Sequence, residues 1–189
     1  MAASAAPAWS TARWFNAPQP LTLEALRGRV VMLHAFQMLC PGCVSHGIPQ
    51  AQRVANLLAE APVTVVGLHT VFEHHEVMGP AALEVFLHEY RVRFPVAVDR
   101  PGPGGDPQPQ TMRAYGMRGT PTVVLIDAVG RIRQHVFGVY DDLQLGRDLG
   151  ALIAESEAER LRHVEPDLSR PEANSGCDER SCALDEHTR

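Results

Sequence analysis

The strongest constraint on the fold of this chain is a nearly continuous apolar run, Arg29–Phe36, that gives way within a few residues to Cys40-Pro41-Gly42-Cys43. A run of this kind, rich in β-branched side chains and without polar alternation, fits a strand covered on both faces. Covering both faces takes helices above and below a sheet, so the run points to a layered α/β architecture. The residues from the cysteines to about Glu60 carry a helical pattern, which puts the cysteine pair where a buried strand hands over to a helix.

At 189 residues the chain accommodates one domain with its own core, since single domains cluster near about 100–200 residues. Val63–Thr70 repeats the strand pattern, and a helix is expected over Pro80–Arg91, opened by Gly79-Pro80 and carrying Leu83, Val85, Phe86 and Tyr90 at helical spacing. Pro95–Asp99 reads as a short strand, Arg100–Gln110 as a Pro/Gly-rich loop and Thr111–Tyr115 as a helical turn. Thr122–Asp127 and Arg131–Phe137, joined by Ala128-Val129-Gly130, read as an antiparallel hairpin, and Asp141–Arg162 as a closing helix. The expected organisation is a disordered leader over 1–12, a domain over 13–162 with a mixed central sheet and helices on both faces, and a flexible tail over 163–189. The tail is rich in Glu, Asp, Arg, Ser and Pro and lacks the apolar residues that would order it.

Charge narrows the partners. All 17 basic residues are arginine, 22 residues are acidic, and the formal net charge is −5. No basic stripe is present, which argues against nucleic acid and an anionic membrane surface as partners. Met1–Thr11 is Ala-rich, contains Pro7 and lacks the early positive charge of a secretory signal. No window approaches the roughly 18 apolar residues of a membrane span. A cytoplasmic location is therefore expected.

Four cysteines occur in two close pairs, Cys40/Cys43 and Cys177/Cys182. That is too sparse for a secreted disulfide scaffold, and in a reducing compartment such pairs serve redox chemistry or bind metal. At a helix start, free N–H groups and the positive end of the helix dipole stabilise a thiolate, the nucleophile of disulfide exchange. Cys40, nearer the tip, is the expected attacking thiolate and Cys43 the resolving thiol. Spacing alone leaves a zinc knuckle and an inert buried pair open; the strand-to-helix setting favours redox chemistry.

Around this pair stand Trp14-Phe15-Asn16, the stretch Pro20-Leu21-Thr22-Leu23-Glu24-Ala25-Leu26-Arg27-Gly28-Arg29-Val30-Val31-Met32-Leu33, Phe94-Pro95-Val96, Tyr115-Gly116, Gly119-Thr120-Pro121-Thr122 and Leu125-Ile126-Asp127. With these motifs, from about Trp14 to Leu152, the chain resembles the thioredoxin-like oxidoreductases of the TlpA/ResA type, within the wider redoxin and AhpC/TSA-like group. The resemblance implies a thioredoxin-like three-layer fold and thiol-disulfide exchange through a redox-active Cys40–Cys43 disulfide, with no other cofactor and no metal. The implied partners are a disulfide-containing protein or small molecule and an upstream thiol reductant. It also implies that Gly119-Thr120-Pro121 is a loop facing the cysteines, with Pro121 cis and Thr120 lining the site. Without the resemblance, Pro121 reads as an ordinary strand-start proline.

Several residues depart from the family pattern. His34 lies six positions before Cys40, where classical thioredoxins carry a buried aspartate and TlpA-type relatives often an asparagine. It is either a proton relay to Cys43 or a hydrogen-bonded core histidine. Glu73, beside His74, His75 and Glu76, follows Val63–Thr70 and falls about one position from the acidic residue that such relatives hold near their cysteines. It is either a second relay group or part of a solvated loop. Pro49 falls one residue later than the relatives' helix proline, and with Gly47 it points to irregular first turns. Cys177 and Cys182 form either an auxiliary redox pair on a mobile tether or two tail cysteines without a role. Two other readings remain. A peroxiredoxin-like peroxidase normally has a threonine where Gln37 stands. A Sco-like metal site would recruit His69, His74 or His75, and a four-cysteine zinc site the tail pair.

Overall fold

The computed structural model describes residues 4–164. Cys177 and Cys182, and with them the expected auxiliary pair, lie outside the described residues. Six strands form one sheet: β1 (Thr11–Phe15), β2 (Val30–Phe36), β3 (Val63–His69), β4 (Val96–Asp99), β5 (Thr122–Ile126) and β6 (Ile132–Phe137). Their order is β1-β4-β3-β2-β5-β6; β4, β3 and β2 run parallel, while β1, β5 and β6 pair antiparallel with their neighbours. The helices are α1 (Ile48–Leu57), α2 (Pro80–Glu89), α3 (Gln110–Ala114) and α4 (Asp142–Val164).

Every residue of the central strand β2 is buried, and its alternation divides the core. Val30, Met32 and Phe36 pack with Ile48 and Ala51 of α1, Leu83 and Leu87 of α2, and Leu145 and Leu149 of α4. Val31, Leu33 and Ala35 pack with Met112, Tyr115, Leu23 and Leu26 on the opposite side. The uninterrupted apolar pattern of β2 is the direct consequence of having both faces covered. No helix among the described residues is long and apolar enough to cross a membrane.

The structure corrects the expected leader. From Ser4 onward these residues belong to the fold: the Ile132 amide donates to the Ser4 carbonyl at 2.8 Å and the Ala6 amide to Gly130 at 2.9 Å. The Trp9 indole donates to the Tyr115 hydroxyl at 3.0 Å, which donates to the Pro7 carbonyl at 2.8 Å, and the Ser10 amide donates to Thr111. β1, which no periodicity announced, follows directly and pairs with β4. Long-range hydrogen bonds hold this segment, and an Ala-rich sequence carries no local sign of them.

The helix after the cysteines is also not uniform. Cys43–Gly47 form a π-helical turn, closed by the Ile48 amide donating to the Cys43 carbonyl, and regular α1 begins only at Ile48. Pro49 explains it. Proline has no N–H for the carbonyl four residues back, and its ring crowds that carbonyl, so the turn ahead of it widens. The irregular first turns expected from Gly47 and Pro49 take the form of this wide turn. At the same edge of the sheet, Asp99 accepts from the Thr111 and Met112 amides at 2.8 and 2.9 Å and from the Thr70 hydroxyl at 3.0 Å. One carboxylate thereby ties the start of α3 to the ends of β3 and β4.

Candidate active site

Past Phe36 the chain turns through Gln37, Met38 and Leu39 and delivers Cys40 to the helix tip. Cys40 is partly exposed; Cys43, one turn on, is fully buried. The sulfurs stand 2.6 Å apart, the Cys43 amide donates to the Cys40 sulfur at 3.2 Å, and the Cys40 thiol donates to the Thr120 carbonyl at 3.5 Å. The Cys40 sulfur thus engages one of the N–H groups that a helix start leaves free. Cys43 is set differently. Burial, and then its hydrogen bond to Cys40, push its thiol up to about 12, although the Gln37 amide and the Thr120 side chain work in the other direction. Removing a thiol from water disfavours its charged form, so the two sulfurs are unequal: one reachable, one sealed and protonated at neutral pH.

The Thr120–Pro121 peptide is cis, as the resemblance implied. The Gly138 amide donates to the Pro121 carbonyl at 2.8 Å, and the Thr122 hydroxyl donates to Gly119 at 2.7 Å, which fixes the loop against β5 and the end of β6. A Cβ on Gly42 would come 3.3 Å from Pro121 Cδ, so the glycine between the cysteines lets helix tip and proline loop close on each other.

A family model described as Redoxin matches residues 1–161. The chain belongs to the Redoxin family. Among solved structures, a thioredoxin-like superfamily protein is 54% identical, with a TM-score of 0.77 over 80% of this chain and 97% of that one. A thiol-disulfide isomerase from Corynebacterium glutamicum is 50% identical, with a TM-score of 0.75 over 79% of this chain and 97% of that one. Protein DipZ of Mycobacterium tuberculosis (strain CDC 1551 / Oshkosh) is 28% identical over 130 residues, which are 68% of this chain and 17% of DipZ. The chain therefore spans less than a fifth of that curated relative. The fold is the thioredoxin-like, TlpA/ResA-type fold of thiol-disulfide oxidoreductases.

Elsewhere in this redoxin the expected residues fare unequally. His34 is fully buried in β2, between Gly67 of β3 and Val123 of β5. Neither ring nitrogen has a hydrogen-bond partner, so it is not the hydrogen-bonded core histidine, and burial lowers its pKa to about 4. Burial raises the Cys43 thiol and lowers the His34 imidazole, so passing the proton from the first to the second is strongly uphill. His34 is thus a poor acceptor for that proton. What it does is fill space: a Cβ on Gly47 would lie 2.4 Å from its Cε1, so the imidazole is the floor on which the π turn rests. Its ring stacks on Phe36 with centroids 5.9 Å apart.

Glu73 is exposed on the loop after β3 and enters none of the described hydrogen bonds or ion pairs; His74, His75 and Glu76 beside it are exposed as well. β3 does run parallel to β2 as the relay reading required, yet the cluster itself has the character of a solvated loop. His69 is buried at the end of β3 without a partner for either nitrogen, and burial lowers its pKa to about 4. Among the described residues no three His, Cys, Asp or Glu side chains converge as a metal site, so the Sco-like reading gains no geometry. At Gln37 the side chain is a buried amide whose nitrogen has no partner, which leaves the peroxidase reading without its hydroxyl. Sequence reasoning missed the part played by the Gln37 backbone and by Gly42 and Gly47. The two glycines within a helix were the available signal, since glycine there costs stability unless a neighbour needs the room.

Proposed function

We propose that this redoxin exchanges a Cys40–Cys43 disulfide with a disulfide-containing protein or small molecule, Cys40 attacking and Cys43 resolving. The observation that carries the reading is the inequality of the sulfurs: Cys40 reachable beside the Thr120 carbonyl, Cys43 sealed and held protonated. In the reductive direction the Cys40 thiolate bonds to one substrate sulfur, and the other substrate sulfur leaves as a thiolate. Cys43 then gives up its proton to that leaving thiolate and attacks Cys40, which frees the second substrate thiol. Two electrons pass from protein to substrate, and an upstream dithiol reductant restores the pair. Forming the mixed disulfide removes the Cys40–Cys43 hydrogen bond that helps to keep Cys43 protonated, so the resolving thiol is released at the step that needs it.

Trapping tests this. Cys43→Ser mixed with a disulfide-bridged peptide is expected to accumulate a 1:1 adduct at Cys40 by mass spectrometry, and Cys40→Ser to accumulate none. Equal trapping through Cys43 in the Cys40→Ser protein would overturn the assignment of roles.

A further inference from the structure

Exposed apolar side chains and an arginine flank Cys40 in the chain and the loop that meets it, and the exchange chemistry does not account for them. Leu39, the residue before Cys40, is 58% exposed, Phe137 at the end of β6 is 46% exposed, and Val139 two residues on is 60% exposed. Side chains of this kind are ordinarily covered when they gather beside one another. Leu39 adjoins Cys40 in the chain, Val139 follows Phe137 by two residues, and Phe137 itself is held at the proline loop. The Phe137 ring lies against it, with Cε2 3.0 Å from where a Gly119 Cβ would stand, and Gly119 is followed directly by Thr120, whose carbonyl meets Cys40. Gly138, between Phe137 and Val139, is bonded to the Pro121 carbonyl. Above the Phe137 ring, 5.1 Å from its centroid, sits the Arg118 guanidinium. Arg118 is exposed and enters none of the described ion pairs. Arginine stacked on an aromatic face keeps its N–H edge free for a carboxylate.

We infer that the substrate of this site is a polypeptide whose cystine is flanked by an apolar side chain, seated on Leu39, Phe137 and Val139, and by a carboxylate, paired with Arg118. This rests on the exchange reading above and narrows its substrate class from any disulfide to an acidic, apolar-flanked one. A small disulfide such as hydroxyethyl disulfide carries neither group. In a net acidic chain, an arginine that enters no ion pair among the described residues, stacked on the ring that lies against the proline loop, supplies the local attraction that the overall charge does not.

The test uses pre-reduced full-length protein in single turnovers with disulfide-bridged fluorogenic peptides that differ only beside the cystine. The peptides carry Leu with Glu, Leu with Lys, or Gly with Glu, and hydroxyethyl disulfide is run with the wild type as a separate probe. The Leu/Glu peptide is expected to react about three- to tenfold faster than Leu/Lys at low ionic strength, with the ratio shrinking as salt rises. It is expected to react up to about tenfold faster than Gly/Glu. Arg118→Glu is expected to invert the Glu/Lys ratio, while Arg118→Lys retains its direction. Both ratios are internal to one protein sample, so altered folding does not mimic the result. Equal rates for all three peptides, or a Glu/Lys ratio untouched by Arg118→Glu, would refute the inference while leaving exchange intact. No reduction of any peptide or of hydroxyethyl disulfide would refute the exchange reading itself.

Discussion

Replacing Gly47 by alanine is expected to destabilise the protein, against the usual effect of that change in a helix. Alanine in a helix interior is ordinarily better than glycine by about 1 kcal/mol. Here the added methyl would come 2.4 Å from His34 Cε1 and 2.8 Å from Nε2. The imidazole has no room to retreat, being fully buried, stacked on Phe36 and flanked by Gly67 and Val123 on the neighbouring strands. Forcing a methyl into a packed core costs about 1–3 kcal/mol, and a contact this close belongs at the upper end. Less the helix gain, the net loss is about 2 kcal/mol, or a fall in Tm of roughly 4–8 °C for a domain of this size. The control is the same change in a His34→Ala background, where the obstacle is gone and the helix preference should re-emerge as a gain of about 1 kcal/mol. The two backgrounds should therefore differ by about 3 kcal/mol in urea unfolding followed by far-ultraviolet circular dichroism, with the thiols kept reduced. An effect of the same sign and size in both backgrounds would show that His34 does not support the π turn.

Other expectations follow from the same structure. His34 and His69 are held near pH 4 by burial, against an ordinary 6.5, so the unfolded chain binds more protons between those values. Their contribution is complete above about pH 6.5 and is lost as pH falls to about 4, by about 3 kcal/mol for each. Asp99, whose pKa burial raises, acts in the opposite sense. Urea midpoints measured from pH 7 to 4.5 should fall, and the fall should flatten in His69→Phe; an unchanged slope in that variant would contradict the assignment. Asp99→Ala strands the Thr111 and Met112 amides at the start of α3 and should cost about 2–4 kcal/mol in the same assay. A loss under about 0.5 kcal/mol would mean that water replaces the carboxylate. Thr120→Val removes the side-chain donor that favours the Cys43 thiolate, so the mixed disulfide should resolve more slowly in quenched-flow trapping, with its formation less affected. Faster resolution would contradict a stabilising role.

Much of the architecture was legible because it is written locally. The unbroken apolar run of β2, the Gly79-Pro80 start of α2 and the β5–β6 hairpin each carry their own periodicity or punctuation, and Cys40 and Cys43 announce themselves by spacing at a strand end. The segment from Ser4 to Phe15 was not legible, since Trp9, Ser10 and the β1 backbone are held by Tyr115, Thr111 and β4, about a hundred residues away.

His34 shows the same division within the site. Its place before Cys40 marked it as important, but two relay or hydrogen-bonding roles suggested by its chemistry gave way to a spatial one, because its nitrogens meet no partner and its ring meets Gly47. Pro49 and Gly47 were visible in sequence as helix irregularities, while their conversion into a π turn depended on which carbonyl the widened turn could still reach. Sequence alone determined the elements from β2 onward, their order and the close pairing of Cys40 with Cys43, because periodicity, turn chemistry and close spacing act over a few residues. How deeply each sulfur is buried and what lies against it were decided by tertiary structure, since burial and contact depend on segments that only folding brings together.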